Sequence, residues 1–167
     1  GRSAGRSRGG GGGGEGVKSH TEDGPANRLF TFRGQQGGWL GSVYPEYYGL
    51  LMFTQASPPG SRLLSVTAPG SGALQSWATL ASDGTLRVTL INKHVRRGET
   101  VRLHLPARYV RASVEQLRAP SVDARDQISL AGQSFGSETT TGHLAGPSQT
   151  AAPKPGQTTY ALRLPPA

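Results

Sequence analysis

From Arg62 to Pro165 the chain alternates apolar and polar residues with a period of two in one short segment after another. That spacing turns one face of a β-strand inward and the other outward. In TLRVTLINKH, Leu86, Val88 and Leu90 alternate with Arg87 and Thr89. ETVRLHLP repeats the pattern, with Val101, Leu103 and Leu105 inside and Arg102 and His104 outside. YVRASVEQLRAP offers Val110, Ala112 and Val114; QISLAGQSF offers Ile128 and Leu130; TTYALRLPP offers Tyr160, Leu162 and Leu164. RLLSVT and ALQSWATLAS complete the set, and SDGT is a turn signal between ALQSWATLAS and TLRVTLINKH. About seven strands with short polar turns predict a mainly β fold, an antiparallel β-sandwich. Its core is expected to bury Val88, Leu90, Val101, Leu103, Val114, Leu162 and Leu164, each worth about 1.5–3 kcal/mol when fully covered.

Upstream the period changes. SVYPEYYGLLMFTQASPPG, residues 42–60, reads as a helix. Pro45 suits the first turn, Glu46 favours the positive end of the helix dipole, and SPPG stops the chain from continuing. Tyr47, Leu50, Leu51 and Thr54 make one stripe, which Tyr48, Met52 and Phe53 widen. So wide an apolar surface needs cover on more than one side. Before the helix, NRLFTFRG is a strand candidate with Phe30 and Phe32 on one face, and QQGGWLGS reads as a loop. Residues 1–24, Gly- and Arg-rich, carry no apolar anchors to offset the entropy of ordering them and are expected to be a disordered arm. Residues 136–157 are polar with Gly and Pro breakers, too long for a hairpin loop, and are expected to form a mobile loop.

Composition narrows the function classes. The chain has 167 residues, 25 glycines, 12 prolines and a 34% apolar fraction, so its globular part is smaller than its length. A net charge of +8 admits an anionic partner, but the arginines look scattered along the strands rather than clustered, which makes nucleic acid an unfavoured partner. The absence of cysteine removes disulfides, thiol nucleophiles and cysteine-ligated metals. No apolar run has the roughly 18 residues of a membrane helix, and no signal peptide is visible.

Candidate chemistry is sparse. Glycosidic cleavage needs two carboxyl groups set about 5 Å apart, or somewhat farther in inverting enzymes. The carboxylates here fall in turns, at strand edges or in the arm, and Glu46 reads as a first-turn helix residue. The histidines, His20, His94, His104 and His143, lack ligand spacing, so no metal and no cofactor are expected. Serines lack a nucleophile elbow, and the glycine run lacks the Lys-Ser/Thr ending of a phosphate loop. Trp39, Trp77 and Tyr109 could stack on sugars or bases, although core or interface packing is the commoner fate of all three.

Taken in order, VYPEYYGLLMFTQ, then RLLSV and ALQSWATLASDGTLRVTLINKH, then ISLAGQSF, TGHLAGP and TTYALRLPPA, resemble glycoside hydrolase family 79, the β-glucuronidase and heparanase-like group. The resemblance implies that residues 25–60 are the remnant of a (β/α)₈ barrel, ending in its last helix. It also implies that 61–167 form the C-terminal β-sandwich packed on that barrel. It implies an extracellular protein. The family's catalytic glutamates belong to barrel segments that this sequence does not contain, so no residue here inherits them. The expected function is a non-catalytic accessory domain whose partner is the barrel in cis, with Tyr47, Tyr48, Leu50, Leu51 and Phe53 as the barrel interface. Two alternatives stay open: a carbohydrate-binding module using Trp77 or Tyr109, and nonspecific nucleic-acid binding through the arm.

Overall fold

The computed structural model describes residues 28–68 and 72–167. The expected arm at 1–24 lies outside the described residues. The chain opens with a hairpin, β1 (Phe30–Gln35) and β2 (Gly38–Val43), in register from Phe30 opposite Val43 to Gln35 opposite Gly38. QQGGWLGS is therefore not a loop: Gly37 at φ 87° makes the turn, and Trp39 to Val43 run as a strand. Two adjacent glycines hid this strand, because glycine carries no side chain to show an alternation. Gly41 is where the side chain must be missing. A Cβ there would stand 3.1 Å from the rings of both Phe32 and Trp39.

Helix α1 (Pro45–Ala56) follows at once, with Pro45 in its first turn and Glu46 beside it, as the sequence predicts. The Ser57 N–H returns to the Phe53 carbonyl at 3.0 Å, and Pro58 and Pro59 prevent continuation. Three strands form the next sheet: β3 (Arg62–Leu64), β4 (Leu74–Leu80) and β5 (Leu86–Asn92), in spatial order β3-β4-β5. The SDGT turn forms as expected. Gly84 takes φ 82°, and the Asp83 carboxylate accepts the Thr85 N–H at 2.8 Å, which holds that carboxyl below its usual range. Thr79 on β4 is buried and donates its hydroxyl to the Ala56 carbonyl at 2.5 Å, pinning the end of α1 to this sheet.

The remaining strands are β6 (Glu99–His104), β7 (Leu117–Arg118), β8 (Ser129–Leu130) and β9 (Thr159–Leu164). β6 pairs with β9 and β7 with β8. Every pairing is antiparallel, and the fold is mainly β with one helix among the described residues. The hydrogen-bonded ladders fall into four small sheets rather than one broad pair. The strand expected from YVRASVEQLRAP does not form as one. Val110 is 89% exposed, Val114 makes an isolated bridge to Ala151, and only Leu117 and Arg118 pair. Alternation over so short a run specifies a face only if a partner strand lies alongside, and none reaches Val110. Residues 136–157 are tied by bridges at Thr139 to Gly41, Ala145 to Ser134 and Ala151 to Val114.

The phase of β6 and β9 is as predicted, with Val101, Leu103, Leu162 and Leu164 turned in and Arg102, His104 and Arg163 turned out. Yet all seven positions expected in the core, Val88, Leu90 and Val114 included, are half-buried rather than buried. The fully covered cluster lies elsewhere: Tyr48, Ile128, Leu130 and Phe135, with Val43, Tyr47, Leu51, Met52 and Leu144 around it. It is built by a tight reversal in which Leu130 and Gln133 exchange backbone hydrogen bonds of 2.9 and 3.0 Å. The two central residues, Ala131 at φ 50° and Gly132 at φ 78°, have the positive pair of a type I′ turn. Leu130 and Phe135 are buried on either side of this turn, in the cluster that includes Tyr48 of α1.

Asn92, buried at the end of β5, joins the separate sheets. Its Nδ2 donates to the carbonyls of Arg97 and Pro165, both at 2.8 Å, while its Oδ1 accepts the His94 N–H at 3.0 Å. β5, the turn before β6 and the segment after β9 are held by this one amide. Asn92→Ala is expected to cost about 2–3 kcal/mol, because it strands buried polar partners. Asn92→Asp should be no better, since it points an acceptor at two carbonyl oxygens. Urea unfolding of the two variants checks this.

Candidate functional site

α1 is apolar almost all round, and the fold covers only one side of it. Tyr48 is 3% exposed and accepts the Phe135 N–H on its hydroxyl at 2.8 Å. Burial pushes its phenol above the usual tyrosine range, partly offset by that backbone hydrogen bond. Tyr47, Leu51 and Met52 flank it, half-buried. Leu50 and Phe53, one turn apart, remain 48% and 67% exposed. Of the five interface candidates, three join the internal cluster and two face outward.

The sequence reading missed the neighbouring surface. Six rings form an unbroken chain: Trp39 to Phe32 (5.3 Å between centroids), Phe32 to Phe30 (5.1 Å), Phe30 to Tyr47 (6.1 Å), Tyr47 to Phe135 (5.7 Å) and Phe135 to Tyr48 (5.2 Å). Most are edge-on or tilted, the arrangement favoured by the ring quadrupole. The outer members Phe30, Phe32 and Trp39 are exposed on the hairpin face and line a hollow of about 150 Å³ above Gly41 and Gly142. Phe30 and Phe32 sharing a face was the available signal. Trp39 could join them only once residues 38–43 were known to be a strand.

Trp77 and Tyr109 do not come together as a platform. Trp77 is exposed on the β4 face shared with Leu63 and Ile91, and Tyr109 is half-buried after β6, its carbonyl accepting the Gly156 N–H at 2.8 Å. Neither belongs to the ring chain.

Several carboxylates hold local structure. Glu138 takes a forked contact from Arg33 (2.8, 3.0 and 3.1 Å), linking β1 to the 136–157 segment. Glu99 lies 3.7 Å from His94. The Ser121 hydroxyl holds Asp123 below its ordinary value. Glu46 sits exposed in the first turn of α1, the role the sequence assigned it. Among the described residues, no three His, Asp or Glu side chains gather where a metal ion could be held, and no helix is long and apolar enough to cross a membrane. What the geometry offers is an apolar surface of uncovered helix and exposed rings.

The model of the glycosyl hydrolase family 79 C-terminal beta domain matches residues 76–165, just over half of the chain. No curated protein matches it.

Proposed function

The chain belongs to the glycosyl hydrolase family 79 C-terminal beta domain family, and from that premise we propose that it is a non-catalytic accessory domain that stabilises a catalytic (β/α)₈ barrel by docking against it. The observation that supports this is the outward pair Leu50 and Phe53 on a helix with apolar residues on every side. A helix of that pattern is ordinarily covered all round. In this reading a barrel of the same polypeptide covers the outer face of α1, and the exposed rings of the β1–β2 hairpin add to the contact. Removing an apolar patch of a few hundred Å² from water contributes several kcal/mol at about 25 cal/mol per Å². The parent activity would be hydrolysis of a glucuronide-type glycoside, carried out entirely by barrel residues.

The test uses the full chain and its Leu50→Ser/Phe53→Ser variant. The unsubstituted chain should self-associate in sedimentation velocity and bind a hydrophobic dye. The variant should be monomeric and bind little dye with its thermal unfolding unchanged, because neither side chain belongs to the internal cluster. Co-expressed with a family 79 barrel, the unsubstituted chain should co-purify and the variant should not. A chromogenic β-glucuronide should stay intact with the chain alone. An unsubstituted chain that is monomeric and dye-free would overturn the docking reading, and turnover lost on Glu46→Gln would overturn the non-catalytic one.

A further inference from the structure

The rings of the β1–β2 hairpin do not make a flat surface. Trp39 and Phe32 stand at 86° to each other, Phe30 and Phe32 at 52°, and Phe30 and Tyr47 at 81°. Rings set across one another enclose space, and here they enclose the hollow of about 150 Å³. Its walls come from three parts of the chain. The hairpin supplies Phe30, Phe32, Trp39 and Val43, which the pairing register and strand alternation put on one face. α1 supplies Tyr47, and the segment after β8 supplies Phe135, Thr139 and Gly142.

These walls are held in place by bonds of the fold itself. Phe135 is buried, and its N–H is fixed by the Tyr48 hydroxyl at 2.8 Å. Gly41 and Thr139 exchange backbone hydrogen bonds of 2.8 and 2.7 Å, which tie the 136–146 strap to β2. The Thr139 hydroxyl accepts the Gly142 N–H at 3.0 Å. Arg33 and Glu138 close the same junction from the opposite side of the hairpin. Glycine keeps the hollow open at two points. A Cβ on Gly41 would press on the Phe32 and Trp39 rings at 3.1 Å. At Gly142, φ 69° strains any other residue, and a Cβ would reach Trp39 at 3.8 Å.

We propose that this hollow binds a small uncharged molecule built on a single aromatic ring, of the size of toluene or p-cresol. Volume sets the size, since an apolar cavity of about 150 Å³ takes up benzene. The lining sets the polarity. It is almost wholly apolar, none of its residues is charged, and the polar groups of the strap are paired already. A sugar brings hydroxyls on every side and a peptide brings main-chain amides. Either would leave water and find few partners here. Organic cations are the other usual guests of crossed rings. Against a cation, no carboxylate lines the hollow, Glu138 is taken by Arg33, and the chain carries a net charge of +8. A neutral ring gains edge-to-face contact with walls that are already crossed, and preformed walls spare the entropy of ordering them. The site stands on the hairpin and strap, so it does not depend on whether Leu50 and Phe53 dock.

The chain has two tryptophans, Trp39 in the hollow and Trp77 on β4, so the two indole N–H signals of the full chain report site and control together. Trp39→Phe assigns them. Probes are toluene, p-cresol, benzoate, tetramethylammonium, glucose and a blocked tryptophan amide. Toluene and p-cresol should shift the Trp39 signal saturably, with a Kd of about 1 mM or tighter. The Trp77 signal should stay in place, and the affinity should not change with salt. Benzoate, tetramethylammonium and glucose should bind at least tenfold more weakly. Phe32→Ala should weaken p-cresol binding about tenfold. Phe53→Ala, which truncates a similarly exposed ring on α1, should leave it within twofold. Both rings are exposed, so neither variant should lose the fold, which thermal unfolding verifies. Equal shifts of both indole signals, no saturable shift, or equal weakening by the two variants would overturn the site. Tighter binding of tetramethylammonium, glucose or the tryptophan amide than of p-cresol would overturn the ligand class. The Leu50→Ser/Phe53→Ser chain should still bind p-cresol, so failure of the docking reading and failure of this one are separate results.

Discussion

Replacing Tyr48 with alanine is expected to remove a large share of this protein's stability. The ring fills the centre of the buried cluster, meets Phe135 at 5.2 Å and carries the hydroxyl that satisfies the Phe135 N–H. Truncating a buried aromatic costs about 3–5 kcal/mol, against a total stability on the order of 5–15 kcal/mol for a domain. Tyr48→Phe separates the two roles. It keeps the packing but leaves a buried N–H without a partner, an expected loss of about 1–3 kcal/mol in urea unfolding. The same variant has a pH signature. Burial raises the phenol's pKa in the folded state, so the fold favours the neutral form. The resulting stability is complete below the unfolded tyrosine value of about 10 and is lost as pH rises through the higher folded value. Stability should therefore fall on the alkaline side, and Tyr48→Phe should make that fall shallower. A variant with an unchanged alkaline limb would show that Tyr48 is not the group responsible.

Leu130→Ala should cost several times as much as Leu103→Ala. Leu130 is 1% exposed, within the cluster that includes α1, whereas Leu103 is half-buried on β6. A fully buried leucine truncated to alanine loses about 2–5 kcal/mol, because the cavity adds to the lost transfer energy. At a half-covered site the surroundings already admit water, and about 1 kcal/mol is expected. Equal losses measured by urea unfolding would mean that the strands, not the helix and the Leu130 turn, enclose the centre of the structure. The comparison is informative because strand alternation alone ranks Leu103 as a core residue.

That ranking shows how far periodicity reaches. Alternation along β5, β6 and β9 reflects steric rules within each strand, so which side chains point inward could be read directly for Val101, Leu103, Leu162 and Leu164. The limits of α1 were equally legible, since Pro45, Glu46 and the Pro58–Pro59 pair act on their own backbone. How deeply an inward residue is buried is another matter, because it depends on what lies opposite. The strand β2 was lost where glycines leave no pattern, and the turn at Ala131 and Gly132 lacks the Asn-Gly or Asp-Gly pair that usually marks a type I′ hairpin. The exposed rings Phe30, Phe32 and Trp39 went unrecognised as one surface for the first of these reasons.

From its sequence alone, this protein was determined to be a mainly β chain with a single amphiphilic helix, no cysteine chemistry and the segment order of a glycoside hydrolase accessory domain. Those properties depend on local sterics, composition and linear order. Only the tertiary structure decided that Tyr48 faces Phe135 while Leu50 and Phe53 stay exposed, and that Arg102 and Arg163 share one side of the β6–β9 ribbon. Arg102 and Arg163 are 61 positions apart in the chain and become neighbours through the β6–β9 pairing. The physical reason is that strand pairing is settled by the free energy of burying the inner faces together. The outward residues are carried along by the register, and no local pattern around either arginine records the other.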